Sequence, residues 1–129
     1  MNYLLDTVAI VRHLSGNTKI GKKAAKILNS TDTSDHTLFL STVSLMEILY
    51  LSEKHRIPIT LKETLDSLNT SSIYQIVNLT PEILIVAEKV AFFELHDRLI
   101  LATAKWLDVP IISSDRRFAE VEGLTTIWG

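Results

Sequence analysis

Five short apolar runs, "NYLL", "TLFLST", "SIYQIVNL", "VPIISS" and "LTTIW", are each separated from the next by a stretch with helical spacing. This alternation constrains the fold more than any other feature. Strands that follow one another only after a helix are joined by crossovers and lie parallel, and a parallel sheet is covered on both faces. Runs that are apolar throughout suit such buried strands. The expected architecture is α/β: a three-layer α/β/α arrangement with a mostly parallel central sheet of about five strands. The 129 residues fit one domain spanning 1–129, and a hydrophobic content of 47% is enough for a continuous core.

The helical stretches are "TVAIVRHL", "TKIGKKAAKIL" with a basic outer face, "VSLMEILYLSEKH" stopped near Pro58, "TLKETLDSLN", "PEILIVAEKVAFFE", "DRLILATAKWLD" and the short "DRRFAEV". Thr80 caps the fifth of these, with Pro81 at its first helical position. "NSTDTSDHT", Asn29–Thr37, reads as a loop.

With no cysteine there is neither a disulfide framework nor a thiolate metal site. The opening "MNYLLDTVAIV" has no basic segment, and Asp6 interrupts its apolar run, so no secretory leader is expected. "ILIVA", Ile83–Ala87, is too short to span a bilayer. A soluble cytoplasmic protein is the expectation. A net charge of −2 argues against a nucleic-acid partner, unless several acids sit together on divalent cations whose charge then counts.

In parallel sheets ligands bind at the carboxyl ends of the strands. Asp6 directly follows "NYLL", and Asp115 directly follows "VPIISS". Asp97 opens the helix that feeds the Asp115 strand, and Glu47 lies one turn into the helix after "TLFLST". At about 100° per residue, Glu47 shares its stripe with Val43, Tyr50 and Leu51, so it lies within the apolar face. A buried carboxylate is costly without compensation, and "VSLMEILYL" holds no basic residue. Each acid also has a structural explanation: Asp6, Asp97 and Asp115 can cap helices, and Glu47 can pair with a distant lysine. Capping does not explain convergence on one edge. Two like charges about 4 Å apart repel by roughly 4 kcal/mol at an effective dielectric of ~20, so four of them call for a cation. Oxygen ligands favour Mg²⁺ or Mn²⁺. Zinc is the poorer fit, with no cysteine and only His96 nearby, and His96 is expected at the helix start rather than as a ligand.

The segments "YLLDTVAIV", "STVSLMEIL", "DRLILATA" and "ISSDRRF", in that order and across nearly the full chain, resemble the motifs of the PIN-domain family, and especially of VapC-type toxins of toxin–antitoxin pairs. The resemblance implies a metal-dependent endoribonuclease that hydrolyses RNA phosphodiester bonds. It also implies a homodimer and a small VapB-like antitoxin that blocks the site. It assigns Asp6, Glu47, Asp97 and Asp115 as catalytic, metal-binding acids, with Asp115 acting directly or through water. Thr7 and Ser114 match the small hydroxyl positions beside them. The chain lacks an obvious extra acid just before Asp97, which some relatives carry. On the substrate side stand Arg98, Arg116, Thr7 and Ser114, the arginines for phosphates and the hydroxyls to orient the acids. Arg117 is a further flanking charge. Lys19, Lys22, Lys23 and Lys26, placed on one helix, offer either a phosphate-binding strip or a solvated face. Trp106 and Trp128 offer base stacking or, more ordinarily, core packing.

Rival readings are a receiver domain, which needs an early acidic pair and a strand-end lysine, and a phosphatase with an Asp-x-Asp nucleophile. Asp6-Thr7-Val8 and "VPIISS" supply neither. The non-enzymatic alternative is a small α/β interaction module whose acids only cap helices.

Overall fold

The computed structural model describes residues 1–30 and 36–129. Most of the expected loop Asn29–Thr37 lies outside the described residues. The strands are β1 (Asn2–Leu5), β2 (Thr37–Ser41), β3 (Tyr74–Val77), β4 (Ile111–Ile112) and β5 (Thr126–Ile127). The helices are α1 (Thr7–Leu14), α2 (Lys22–Asn29), α3 (Thr42–Glu53), α4 (Leu61–Leu68), α5 (Pro81–Glu88) and α6 (Leu95–Leu107). The strands form one sheet in the order β3-β2-β1-β4-β5, and every neighbouring pair is parallel. This is the expected three-layer α/β/α fold.

The pleat sorts the strand side chains into two cores. Tyr3, Leu5, Leu38, Leu40 and Ile112 pack on one face with Ala9 and Ile10 of α1, Ala24 and Leu28 of α2, Ile48 of α3 and Leu68 of α4. Leu4 and Ile111 pack on the other with Ile83 and Ala87 of α5, Leu99 to Ala102 of α6, and Phe118. The register pairs Leu5 with Leu40 and with Ile112, so β1 and β4 end level with one another and β2 runs one residue farther, to Ser41. Whatever follows those three strands therefore emerges along one line at the carboxyl edge.

Several boundaries differ from the expectation, for local reasons. Helix α2 begins at Lys22, not Thr18, because Gly21 is its N-cap and lies against the Trp128 backbone. A Cβ there would stand 2.2 Å from the Trp128 carbonyl oxygen, which also accepts from Ala24 N–H at 3.0 Å. Gly21→Ala is thus expected to push the last strand and α2 apart and lower stability by about 1–3 kcal/mol, the usual result of overpacking. Thermal denaturation checks this, and an unchanged melting temperature would contradict the close approach.

Helix α5 stops at Glu88, well short of Glu94. The Ala87 carbonyl, which a continuing helix would offer to residue 91, instead accepts Arg98 Nε at 2.7 Å and Val90 N–H at 3.1 Å. The chain turns, and α6 starts at Leu95 with Glu94 as its N-cap. Asp97 consequently stands inside the first turn of α6 rather than capping it. "VPIISS" contributes only Ile111–Ile112 to the sheet, and "DRRFAEV" forms a 3₁₀ turn, Arg116–Glu120.

Candidate active site

Asp6 leaves β1 and caps α1, accepting Ala9 N–H at 2.9 Å. Its own N–H donates to Ile112 O of β4 at 3.1 Å, which fastens the two strand ends together. The residue is buried, and the Ser113 hydroxyl hydrogen-bonds to its carboxylate. Burial nevertheless pushes the Asp6 carboxyl up to about 6, with smaller contributions from the negative charges of Glu47 and Asp115; the Ser113 and Ala9 hydrogen bonds only partly offset this. Capping is real here, but it leaves Asp6 as an acid held against its preference for water.

Glu47 is oriented by a relay of hydroxyls. Thr7 Oγ1 donates to Glu47 Oε1 at 2.5 Å and lies 3.0 Å from Ser44 Oγ. Thr7 has one hydroxyl proton, and the charged acceptor is the stronger claimant, so Ser44 donates to Thr7 in turn. Both hydroxyls are buried. Oε2 of Glu47 is left facing His96, whose Nδ1 lies 3.8 Å away.

Asp97 is half-buried in the first turn of α6, where its N–H donates to Glu94 Oε2 at 3.2 Å. Partial burial raises its carboxyl to about 6, followed by the negative charges of Glu94, Glu47, Asp115 and Asp6. The positive end of the helix dipole favours an acid there, yet like charge and desolvation outweigh it. Five carboxylates thus feel one another across this edge, from β1, α3, β4 and the start of α6.

Asp115 differs from the rest. It caps the 3₁₀ turn by accepting Arg117 N–H at 3.0 Å, and Arg117 grips it from the side through Nε at 3.0 Å and Nη2 at 2.6 Å. That bidentate pairing holds the Asp115 carboxyl below the usual range. An edge free of countercharge was expected; instead, one of its acids is neutralised within the fold. Asp6 and Asp97 have no salt-bridge partner among the described residues.

Two residues of the acidic edge were not singled out by the sequence. Glu94 is an acid three residues upstream of Asp97, and glutamate is an unusual enough N-cap to give no signal. Ser113, not Ser114, is the hydroxyl at Asp6, and its Oγ also accepts Asp115 N–H at 3.0 Å. Strand alternation was the signal available, since Ser113 continues the buried run Ile111–Ile112. His96 is closer to the acids than expected. Among the described residues, Glu47, Glu94 and His96 are the one set of three whose ligand atoms all lie within 4.8 Å of one another. Asp6 and Asp97 are not members of that set, although each feels the other's acidic neighbours.

The basic residues divide. Arg98 braces α5 to α6 through Ala87, so its expected phosphate contact gives way, at Nε, to a structural one. Arg116, Lys23, Ser114 and Trp128 line an open hollow of about 490 Å³ that reaches Asp115. Lys19 precedes α2 and is not on it. Trp128 packs against the core beneath Arg12, whose guanidinium lies 5.8 Å from its ring. Trp106 is exposed but sits nine residues beyond Asp97, about 14 Å along α6 at 1.5 Å per residue.

Comparison with known proteins places these features in context. The sequence model of the PIN domain matches residues 3–124. No curated protein matches the chain in sequence. Among solved structures, the fold is similar to VapBC2 from Rickettsia felis bound to a DNA fragment from its promoter (TM-score 0.75, 16% identity, all of both chains covered). It is also similar to DNA-bound VapBC from Salmonella typhimurium (TM-score 0.71, 14% identity, covering 98% of this chain and 97% of that one). A third similar structure is VapC20 from Mycobacterium tuberculosis, a sarcin–ricin-loop-cleaving toxin (TM-score 0.59, 12% identity, 92% and 93% covered).

Proposed function

The chain belongs to the PIN domain family, and from that premise we propose that it is a divalent-metal-dependent endoribonuclease of the VapC type, the toxin of a toxin–antitoxin pair. The observation that carries this reading is the grouping of five carboxylates at one sheet edge, two of them raised to about 6 and without a countercharge. Helix capping accounts for the positions of Asp6 and Asp115, but not for Glu47, which caps nothing and is held by buried hydroxyls.

The donor set fits a hard cation: carboxylate oxygens predominate, one imidazole stands beside two of them, and there is no thiolate. Asp6, Glu47 and Asp97 would hold the ion, with Glu94 or His96 completing the set and Asp115 acting through water. When bound, Mg²⁺ or Mn²⁺ lowers the pKa of a water and polarises a phosphoryl oxygen. The protein's own groups supply position and proton traffic. Thr7 and Ser44 fix Glu47 so that Oε2 remains free to take a proton from water or to hold the ion. Ser113 and Ala9 fix Asp6. Arg116, Lys23 and Ser114 line the hollow where the sugar–phosphate backbone would approach, and supply the positive charge that a net acidic chain otherwise lacks.

Partner chains have surface to use. Met46, Leu49 and Tyr50 of α3 and Leu84 and Ile85 of α5 are exposed apolar side chains. A groove of about 270 Å³ lined by Met46, Tyr50, Leu51 and His96 runs to Glu47, so an antitoxin segment seated there would reach the acids and block them. A homodimer would cover the α5 surface. No helix among the described residues is long and apolar enough to cross a membrane. A cytoplasmic setting goes with cellular RNA as the substrate and is part of the same proposal.

The test is cleavage of purified cellular RNA with Mn²⁺ or Mg²⁺. Cleavage is expected to stop on chelation and to return with Mn²⁺. Asp97→Asn is expected to reduce it by at least about a hundredfold, since even residues that only support a metal ligand are worth 10–100-fold. Full activity in that variant, or in chelator, would refute the metal-dependent mechanism.

A further inference from the structure

We propose that Phe93, backed by Phe92 and Arg117, is a stacking platform for one nucleobase of single-stranded RNA next to the scissile phosphate. The inference rests on the nuclease reading and extends it to how substrate is placed. Phe93 has 78% of its surface exposed, more than any other large hydrophobic residue described. Its ring is stacked on Phe92, with centroids 5.2 Å apart and planes 17° from parallel. Phe92 in turn meets Phe118 of the core edge-on at 5.3 Å. An exposed ring is therefore mounted on a partly buried one that is itself packed on the core, rather than left on a free side chain.

The platform is joined to the acids twice. Phe93 immediately precedes Glu94, the N-cap of α6 and one of the five carboxylates. Arg117 lies 5.5 Å from the Phe92 centroid and 5.0 Å from that of Phe93, while its guanidinium grips Asp115. One cation thus touches both rings and the reaction edge, within reach of a phosphate that arrives there. Phe92, Phe93, Arg117 and Glu120 line an open hollow of about 410 Å³.

The surroundings favour a base over a protein partner. Protein-binding patches are contiguous apolar areas, whereas Phe93 is a single face bordered by Arg117 and Glu120. Leu95, the next exposed apolar residue, turns into a different groove with Met46 and Leu79 on the α3 side. An exposed aromatic ring with a guanidinium 5.0 Å from its centroid is the arrangement that binds bases without choosing among them.

The experiment compares adenosine 5′-monophosphate with ribose 5-phosphate, which differ only by the base. The protein, with diamagnetic Mg²⁺ present, is titrated with each by NMR. Adenosine monophosphate is expected to bind roughly tenfold more tightly and to shift the ring protons of Phe93, in line with the worth of one base–aromatic stack. Phe93→Ala should erase the tenfold preference and raise KM for RNA by a similar factor, with the loss falling on KM more than on kcat. Phe93→Trp should keep the preference. Equal binding of the two ligands by the wild type, or an unchanged preference in Phe93→Ala, would overturn the platform. So would a Phe93→Ala defect confined to self-association or to binding another protein. If the wild type cuts no RNA, the nuclease reading falls and the platform with it; if it cuts and Phe93→Ala has an unchanged KM, only the platform falls.

Discussion

Asp6→Asn is expected to abolish RNA cleavage and, in the same protein without divalent ions, to raise the melting temperature at pH 7.5. The two effects have one cause. Asp6 is buried, and its carboxyl is pushed up to about 6 first by desolvation and then by Glu47 and Asp115. At neutral pH the fold therefore carries an ionised group in a place that disfavours it. The shift from 3.8 to about 6 corresponds, at 1.36 kcal/mol per unit, to a penalty of at most roughly 3 kcal/mol. Asparagine removes the charge and keeps an oxygen for Ala9 N–H, so the cap of α1 survives. A gain of about 1–2 kcal/mol, or roughly 3–8 °C, is the expected net result. Loss of activity should be at least about a hundredfold, for the same reason as at Asp97. Destabilising burial of charge that function requires is the usual compromise of an active site. Differential scanning calorimetry beside an RNA cleavage assay reads both arms. A variant that loses activity and also melts lower would mean that Asp6 serves the fold first.

The residues that carry this argument were unevenly legible in the sequence. Asp6 and Asp115 could be placed because each stands where an apolar strand run changes to helical spacing, and parallel topology then sends both to the same edge. Glu47 could be placed because a carboxylate inside an apolar stripe is itself a signal. The strand set, its parallel sense and the two covered faces followed from the same patterns. What escaped depended on tertiary detail. "AEKVAFFELHD" has no glycine or proline to mark the break between α5 and α6, and the break depends on Arg98 reaching back eleven residues to Ala87. Without that boundary Glu94 could not be recognised as a cap, nor Phe93 as an exposed ring. Asp115 and Arg117 are two apart, a spacing at which side chains do not meet on an α-helix. They meet here because Asp115 stands outside the helical turn, as its cap.

The ion-free protein is also expected to lose stability as pH rises from about 4 to about 6.5, the reverse of ordinary acid denaturation. The folded chain binds protons at Asp6 and Asp97 up to about pH 6, whereas the unfolded chain releases them near 3.8. Between those values the native state holds more protons than the unfolded state, so the unfolding free energy falls with rising pH. Above about 6 both states are ionised and the penalty is constant. Asp97 is half-exposed, so its share is discounted for solvent screening, and the two together should amount to about 2–4 kcal/mol. Asp115 acts in the opposite sense, and so does His13, whose pKa is lowered by burial, so that its share of the stability falls as pH drops below about 6.5. The Asp115 carboxyl is lowered by Arg117, so the stability that it contributes is lost only in more acid solution, below the window where Asp6 and Asp97 titrate. Mn²⁺ should reverse the trend. It competes with protons for the same carboxylates, so its stabilising effect should be small at pH 5 and grow towards pH 7.5, reaching about 2.7 kcal/mol at a hundred times its dissociation constant. Melting curves across pH 4–8 with and without Mn²⁺, in wild type and Asp6→Asn, separate the contributions. The variant should show a flatter pH profile and a weaker response to the ion. An Asp6→Asn profile no different in slope from the wild type between pH 4 and 6.5, or an equal Mn²⁺ shift in both proteins, would mean that the acids at the sheet edge are not held together under strain. The case for an ion between them would then fail.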